Sequence, residues 1–249
     1  MIVLKSEKEI RQMLEACRIS AEALKVAGEA VEPGVSTWEI DRIARKFIES
    51  KGATPTFLNY NGFPAAACIS INDEVIHGIP DKAHIIRAGD IVSIDLGARI
   101  NGYTGDNAAT FACGDVSAEA KRLMETTEES LYVGIKKAVP GGRIGDIGSA
   151  IQQYCEERGY SVVREYTGHG VGAALHEDPA VPNYGTPGRG VRLVPGMTIA
   201  IEPMINEGKA SVKTLSNGWT VKTTDGKLSA HFEHTIAITS SGPLIMTKL

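Results

Sequence analysis

An internal repeat constrains the fold of this chain more than any other feature of its sequence. Pro33-Gly34 recurs as Pro140-Gly141, 107 residues further on. In the same ungapped register the following pairs are identical or chemically equivalent: Ile40 and Ile147, Glu49 and Glu156, Gly52 and Gly159, Gly89 and Gly196, Ile94 and Ile201, Asp95 and Glu202. We therefore predict two similar halves, residues 33–95 and 140–202, each with a Pro-Gly turn, a helix and strands. Two βα units of unrelated origin are the alternative.

Acidic residues lie where a folded chain could not bury them unaided. Asp95, Asp106, Glu202 and Glu233 lie within or beside apolar segments that read as strands, and His169 joins them. If the halves pack face to face, Asp95 and Glu202 take equivalent places at the interface, where ligand sites are common. Burying unpaired carboxylates is costly, so we predict divalent cations between them. An oxygen-rich set with one imidazole suits Mn, Fe or Co better than a structural Zn.

The spacing of the first two acids predicts a distorted hairpin. Asp95 is expected to end a strand, and Asn101-Gly102 is a strong turn signal before the return strand that carries Asp106. A regular hairpin would place residue 108 opposite Asp95. We therefore expect a bulge or a longer loop that brings Asp106 opposite Asp95. The alternative is a pair of surface carboxylates beside a turn.

His169 lies in the glycine-rich segment Thr167-Gly-His-Gly-Val-Gly172, which leaves its imidazole unobstructed. The segment matches neither a phosphate loop nor G-x-G-x-x-G, and position 180 excludes an H-E-x-x-H zinc helix at His176. A lone histidine of this kind is more often structural, and Glu202 or Glu233 alone could face solvent. The remaining histidines are assigned to structure or solvent: His84, His231 and His234.

Composition sets the broad class. At 249 residues the chain is near the upper size of one domain, and we expect a single domain over 1–249. A net charge of −4 argues against nucleic-acid binding. No apolar stretch approaches the roughly 18 residues of a membrane span, and the first residues lack a signal-peptide layout. Four widely spaced cysteines favour a reduced, cytoplasmic protein.

Hydrophobic periodicity predicts four helices and a strand-rich end. The first helix opens with a Ser6–Glu9 capping box and ends before Pro33. The other helices are expected at about 37–50, 114–139 and 144–158. Strands are expected at 68–71, 90–95, 197–202 and 232–238, and most of the last hundred residues should be strands and turns.

Together these motifs resemble the type I methionine aminopeptidases, which have the "pita-bread" fold. The resemblance rests on the five-residue order of acids and histidine, on Val75-Ile-His77-Gly-Ile-Pro80, on Thr167–Gly172, and on the Glu202-Pro203 and Glu233-His-Thr segments. It implies an α+β fold of two pseudo-symmetric halves, in which helices cover a central curved antiparallel sheet. It also implies one catalytic metallopeptidase domain over residues 1–249.

The resemblance implies two divalent ions per chain, of Co, Mn, Fe or Zn. Asp95 would be a terminal ligand, Asp106 and Glu233 would bridge, and His169 and Glu202 would complete the second site. The reaction implied is removal of the initiator methionine from new polypeptides with a small second residue, by attack of metal-activated water on the first peptide bond. Glu202 would move the proton, and His77 and His176 would contact the substrate.

The methionine pocket implied by the resemblance is apolar, although aromatic residues are more often part of a core. Its expected residues are Phe57, Tyr60, Phe63, Cys68 and Trp219. Family members often have other side chains where this chain has Phe57, Phe63 and Leu175, so the shape of the pocket is left open. We expect a monomer that acts on nascent polypeptide N-termini, with at most a transient ribosome contact and no membrane partner.

Two details favour a minimal bacterial-type enzyme. The interval between Glu202 and Glu233 is too short for the helical insertion of type II enzymes, and about 30 residues precede the repeat, so we expect no eukaryotic-type extension. One alternative is a non-catalytic pita-bread binding protein, a class that usually loses metal ligands. Another is a non-haem iron oxygenase with two histidines and one carboxylate, which would hold one ion rather than two.

Overall fold

The chain forms four helices and fifteen strands, and the structure, a computed structural model, describes all of residues 1–249. The helices are α1 Glu7–Glu29, α2 Thr37–Ser50, α3 Ala118–Ile135 and α4 Ile144–Glu156. The strands are β1 Thr54–Pro55, β2 Ala67–Ile71, β3 Glu74–Ile76, β4 Ile91–Ile100, β5 Tyr103–Ala112, β6 Ser161–Val162, β7 Gly168–Gly170, β8 Glu177–Val181, β9 Thr198–Ile201, β10 Met204–Asn206, β11 Val212–Thr214, β12 Val221–Thr223, β13 Ser229–His231, β14 Glu233–Thr239 and β15 Gly242–Ile245. None of the helices is long and apolar enough to cross a membrane.

The four predicted helices are confirmed, and capping residues explain where they begin. Ser6 and Glu9 form the predicted capping box of α1. Ser36 and Glu39 form a second one at the start of α2. The third helix is shorter than predicted, because the side chain of Ser117 accepts the N–H of residue 120 and fixes the helix start there.

The predicted fold class is confirmed. Nine strands form one curled antiparallel sheet in the order β1, β4, β5, β14, β9, β7, β8, with β2 also paired to β4 and β15 to β14. Two three-stranded sheets, β13-β10-β6 and β11-β12-β3, complete the strands. Helix α1 packs on β4 and β5, and α3 packs on α4.

Local hydrogen bonds recur at the 107-residue offset of the sequence repeat. The N–H of Gly34 donates to the carbonyl of Ile86, and the N–H of Gly141 donates to that of Leu193, both at 2.9 Å. The isolated strand bridges Ser36–Ile85 and Arg143–Arg192 follow the same offset. Both turn glycines have positive φ, 94° and 87°, which other residues adopt only with strain. Helices α2 and α4 begin directly after these bridges.

Each half has its own hydrophobic core between helices and sheet. The first core contains, among others, Ile19, Leu24, Ile40, Ile48, Ile69, Ile71, Ile94 and Leu96. The second contains, among others, Leu123, Leu131, Ile147, Ile151, Ile199, Ile201, Ile236 and Ile238. Because side chains alternate across a strand, residues between these core positions point to the opposite face of the sheet.

The hairpin β4–β5 differs from the prediction in two ways. Its register is regular from Ile91 to Ile100, so Asp95 pairs with Ala108 and Asp106 pairs with Gly97. The predicted bulge was therefore wrong, and Asp95 lies in the middle of its strand rather than at its end. The two acids share one face on a diagonal, and the small residues opposite them leave space. Direct opposition of like charges would be destabilising.

Gly105 should be essential to stability, because a Cβ placed there would lie 2.4 Å from the Cα of Cys17 in α1. Gly105→Ala would push the helix away from the sheet, so we expect the free energy of unfolding to fall by about 1–3 kcal/mol. Urea denaturation measures this. Gly185→Ala is the matched control, because its nearest neighbour would be 3.4 Å away. Equal stability of the two variants would contradict this account of the packing.

Candidate metal centre

The structure brings every predicted site residue to one cavity of about 200 Å³. The five proposed metal ligands and the two proposed substrate histidines line it together with the proposed pocket residues. The cavity is lined by Phe57, Tyr60, Asn61, Phe63, Cys68, His77, Asp95, Asp106, His169, Leu175, His176, Glu202, Trp219 and Glu233.

Strand pairing places three acids around one alanine. Ala108 of β5 pairs with Asp95 on one side and with Glu233, the first residue of β14, on the other. Asp106 lies two residues from Ala108, on the same face of β5. The alanine methyl group leaves the space between the carboxylates open. Donor atoms of Asp106, His169 and Glu233 all lie within 4.8 Å of one another.

Two further proposed ligands come from β7 and from the residue after β9. Glu202 directly follows β9, and His169 is the middle residue of β7. The flanking glycines let β7 lie close to its neighbours, since a Cβ at Gly168 would be 2.3 Å from the carbonyl of Ala200. A Cβ at Gly170 would likewise be 2.1 Å from the carbonyl of Asp178. These contacts explain Gly168 and Gly170, the first two of the three glycines in the Thr167–Gly172 segment.

The His169 ring is oriented so that Nε2 faces the acids. Its Nδ1 lies 2.8 Å from the carbonyl oxygen of Gly170, to which it can donate. Its Nε2 lies 3.5 Å from Asp106 Oδ2 and 3.6 Å from Glu202 Oε1. Metal-binding histidines are commonly fixed in this way, with the second ring nitrogen donating to a backbone carbonyl. The lone pair on Nε2 is then available to a cation.

Burial and mutual repulsion strongly raise the pKa values of the acids. Asp106 and Glu233 are each only 3 % exposed. Burial, together with the charges of neighbouring acids, raises the pKa of Asp95 and Glu233 well above the usual range. Burial and Asp106, opposed by His169, raise the pKa of Glu202 to about 8. Burial acts to lower the pKa of His169, but Asp106 and Glu202 outweigh it and raise that pKa to about 9.

Unpartnered oxygen atoms show that a divalent ion fits this cavity. Asp95 Oδ1, Asp106 Oδ1 and Glu233 Oε1 are buried and have no hydrogen-bond partner in the protein. Buried polar atoms normally have one, so these atoms need a ligand. Four carboxylates and one imidazole form the oxygen-rich donor set that suits Mn, Fe or Co.

The two histidines proposed to contact the substrate, His77 and His176, occupy different surroundings. His77 has a positive φ of 58°, and the following Gly78 packs so closely on β2 that a Cβ would lie 2.1 Å from the carbonyl of Ile69. The ring of His77 lies near Tyr166 and Trp219. Burial lowers the pKa of His77 to about 4.

His176 is held by Tyr60, whose hydroxyl lies 2.8 Å from its Nδ1. Its ring centroid is 4.1 Å from that of His169. Desolvation, together with His169 and His77, lowers the pKa of His176 to about 4. With these pKa values, His77 and His176 are both neutral at pH 7 and can each donate one hydrogen bond.

The other end of the cavity is apolar. Phe57, Phe63, Cys68 and Leu175 form a small buried cluster, with Tyr60 and Trp219 packed against it. Cys68 pairs directly with Asp95 across β2 and β4, so the apolar end adjoins the acidic end. The backbone N–H groups of residues 66 and 67, at the start of β2, donate to Asp41 Oδ1 and hold this wall in place.

The structure places in or beside the site two residues that were not assigned to it from the sequence. Asn61 lines the cavity, and its positive φ of 49° agrees with the turn-forming Asn-Tyr-Asn-Gly segment that could have indicated it. His231, assigned to structure or solvent, is 1 % exposed, and its Nε2 lies 3.7 Å from Glu202 Oε2. Burial and His77 lower the pKa of His231 to about 3. Only the fold brings His231 beside Glu202, because β13 pairs with β10.

Comparison with known proteins agrees with this geometry. Residues 11–240 match metallopeptidase family M24. The chain is 53% identical over 247 residues to the methionine aminopeptidase of Clostridium acetobutylicum, covering 99% of both chains. It is 52% identical over 249 residues to methionine aminopeptidase 1 of Bacillus subtilis, covering 100% of both.

A solved structure gives the same result. The crystal structure of methionine aminopeptidase from Thermotoga maritima superimposes with a TM-score of 0.98 at 44% identity, covering 100% of both chains. The chain therefore belongs to metallopeptidase family M24, as a bacterial type I member of the methionine aminopeptidases.

Proposed function

We propose that this chain removes the N-terminal methionine from newly made polypeptides whose second residue is small. The observation that carries the proposal is a cavity with one apolar end and one acidic end, about 200 Å³ in volume. It is smaller than the roughly 300–1,000 Å³ of typical ligand pockets, so it suits one terminal side chain rather than the middle of a chain. The names of the relatives support methionine as that side chain.

Two divalent ions are proposed for the acidic end. Four carboxylates and one imidazole offer more donor atoms than a single six-coordinate ion can use. Asp106 and Glu233 lie within reach of His169, so each would hold both ions. Asp95 lies across Ala108 from Glu233 and suits one ion alone, while His169 and Glu202 suit the other. Co, Mn, Fe and Zn are the candidate metals.

When bound, the ions supply Lewis-acid activation of water and of the scissile carbonyl group. Glu202 accepts the proton of the attacking water at its carboxylate and passes it to the leaving amine. The carboxylate of Glu202 lies at the acidic end of the cavity, which suits it to this transfer. The apolar cluster that includes Phe57 and Phe63 holds the methionine side chain and excludes water from it.

The two neutral histidines bind the substrate backbone. When the Tyr60 hydroxyl donates to Nδ1 of His176, the ring carries its proton on Nε2. That N–H then stabilises the negative charge that develops on the carbonyl oxygen. His77, fixed by the close packing of Gly78, contacts the substrate from the Trp219 side.

We further propose one catalytic domain over residues 1–249 that acts in the cytoplasm as a monomer on nascent N-termini, with at most a transient ribosome contact.

The alternative of a non-catalytic binding protein is not supported, since the relatives are named as aminopeptidases. The oxygenase alternative is not supported either, because the chain belongs to a metallopeptidase family.

Peptide hydrolysis tests the proposal. Chelator-treated protein reloaded with Mn, Co or Fe should release methionine from Met-Ala-Ser, and the chelated protein should not. The small pocket predicts far slower cleavage of Met-Leu-Ser than of Met-Ala-Ser. Chromatography of free methionine, under aerobic and anaerobic conditions, measures both. No release with any metal under either condition would overturn the proposed function.

His176→Ala tests the role of that imidazole. Loss of a donor to the developing oxyanion should lower kcat about 10²–10³-fold. The metal content should stay at the wild-type value, because His176 is not proposed as a ligand. His84→Ala is the matched control, since His84 does not line the cavity. Metal loss from the His176 variant would show that this assignment is wrong.

Stability without metal should fall as pH rises from about 6.5 to 9. The folded chain retains protons on Glu202 and His169 up to about pH 8 and 9, whereas the unfolded chain releases them near 4.5 and 6.5. The folded state therefore binds more protons in this window, and raising the pH favours unfolding. Thermal melts of chelated protein measure the effect.

Metal loading should remove this loss of stability, because bound ions keep the acids deprotonated and His169 neutral. In the chelated protein, Asp106→Asn should weaken the pH dependence, since Asp106 raises both pKa values. A metal-free melting temperature that rises from pH 6.5 to 9 would contradict this account of the cluster.

A further inference from the structure

The segment Gly172–Glu177 carries two cavity residues, Leu175 and His176, outside any regular strand except at its last residue. Backbone hydrogen bonds fix its start, and its two cavity residues also contact Tyr60 and the apolar cluster. The N–H of Thr104 donates to the Gly172 carbonyl at 2.8 Å, and the Arg99 guanidinium donates to the Ala173 carbonyl. The placement of the two cavity residues depends on these contacts and on what holds the far end of the segment.

Glu177 holds that end through both carboxylate oxygens. Oε1 accepts the N–H of Ala174 at 3.2 Å, which closes the segment on itself. Oε2 forms an ion pair with Nζ of Lys5. The side chains of this pair are only 4% and 12% exposed, so the carboxylate depends on that single partner for its countercharge. Removal of one partner from such a buried pair leaves an uncompensated buried charge on the other, which is strongly unfavourable.

Lys5 is itself fixed from outside the segment. Its backbone N–H donates to the Gly196 carbonyl at 2.7 Å, and Nζ also donates to the Val3 carbonyl at 3.1 Å. A Cβ at Gly172 would lie 2.5 Å from Cε of Lys5 and 2.6 Å from Glu177 Oε1. The last glycine of the Thr167–Gly172 segment, which the metal centre does not explain, therefore makes room for this pair.

We propose that Lys5 and Glu177 are positioning residues for His176 and Leu175. The inference rests on the proposed function, because it assigns the pair a role in the placement of the oxyanion donor and of the pocket wall. Without the Lys5 ammonium, the Glu177 carboxylate turns toward water and releases the N–H of Ala174. His176 then moves relative to the acids, and the metal ligands themselves stay in place.

Lys5→Met tests the pair, with Lys8→Met as the matched control, because Lys8 is exposed on the same terminal segment. Assays with Met-Ala-Ser and Mn are run well below each melting temperature. We expect Lys5→Met to lower kcat about 10-fold, as misplaced catalytic groups do. Metal affinity, measured by calorimetry, should stay within about twofold of wild type, because Lys5 contacts none of the proposed ligands. Loss of a residue that supports a metal ligand would instead weaken metal binding about 10–100-fold. Lys8→Met should match wild type.

The double variant Lys5→Met/Glu177→Gln separates positioning from general destabilisation. Glutamine keeps an acceptor for the Ala174 N–H and removes the uncompensated charge, so we expect kcat to recover in part relative to Lys5→Met. An unchanged kcat in Lys5→Met, a loss of its metal affinity, or no recovery in the double variant would overturn the proposal.

Amide hydrogen exchange separates this proposal from the proposed function. If the wild-type protein binds metal and releases no methionine, the proposed function fails on its own. The positioning role is then decided by exchange within residues 172–177. Faster exchange there in Lys5→Met than in Lys8→Met, with β14 unchanged, supports the role, and equal exchange overturns it.

Discussion

Repulsion among four largely buried carboxylates is the constraint on which the rest of this structure depends. Asp95, Asp106, Glu202 and Glu233 meet on one face of the sheet, and burial raises the pKa of each. Without metal, the protein meets this cost by protonating acids and His169. With two divalent cations the same groups can all ionise, and their unpartnered oxygens gain ligands. Binding of metal and stability of the fold are therefore coupled.

The size and packing of neighbouring side chains bring these groups together. Large apolar residues such as Ile94 and Leu96 hold β4 against the helices, which turns Asp95 to the other face. Ala108 and Gly97 leave the gap between the acids open. Close-packed glycines at 168 and 170 set His169 against Glu202, and the Lys5–Glu177 pair fixes the segment that adds His176. The catalytic geometry thus depends on packing on the far side of the sheet as much as on the ligands.

Much of this could be predicted from the sequence, because periodicity and residue chemistry are local. The four helices, the fold class and, except for Asn61, the residues that line the cavity followed from patterns and from the family resemblance. The predicted bulge in the hairpin of Asp95 and Asp106 was wrong. A turn signal does not say whether two acids lie directly opposite each other or on a diagonal. His231 and Lys5 could not be placed, because each meets its partner only through pairing distant in the chain: β13 with β10 for one, and the terminal segment with Glu177 for the other.

Metal analysis of the reloaded protein tests the central claim most directly. Chelated protein is titrated with Mn under anaerobic conditions, and bound metal is measured by calorimetry and by elemental analysis after desalting. The account predicts about two ions per chain, as in two-metal hydrolases, and a clear reduction in Asp106→Asn, which removes a proposed bridge. A limit of one ion per chain, or full occupancy in that variant, would contradict the claim that these five side chains form one dinuclear site.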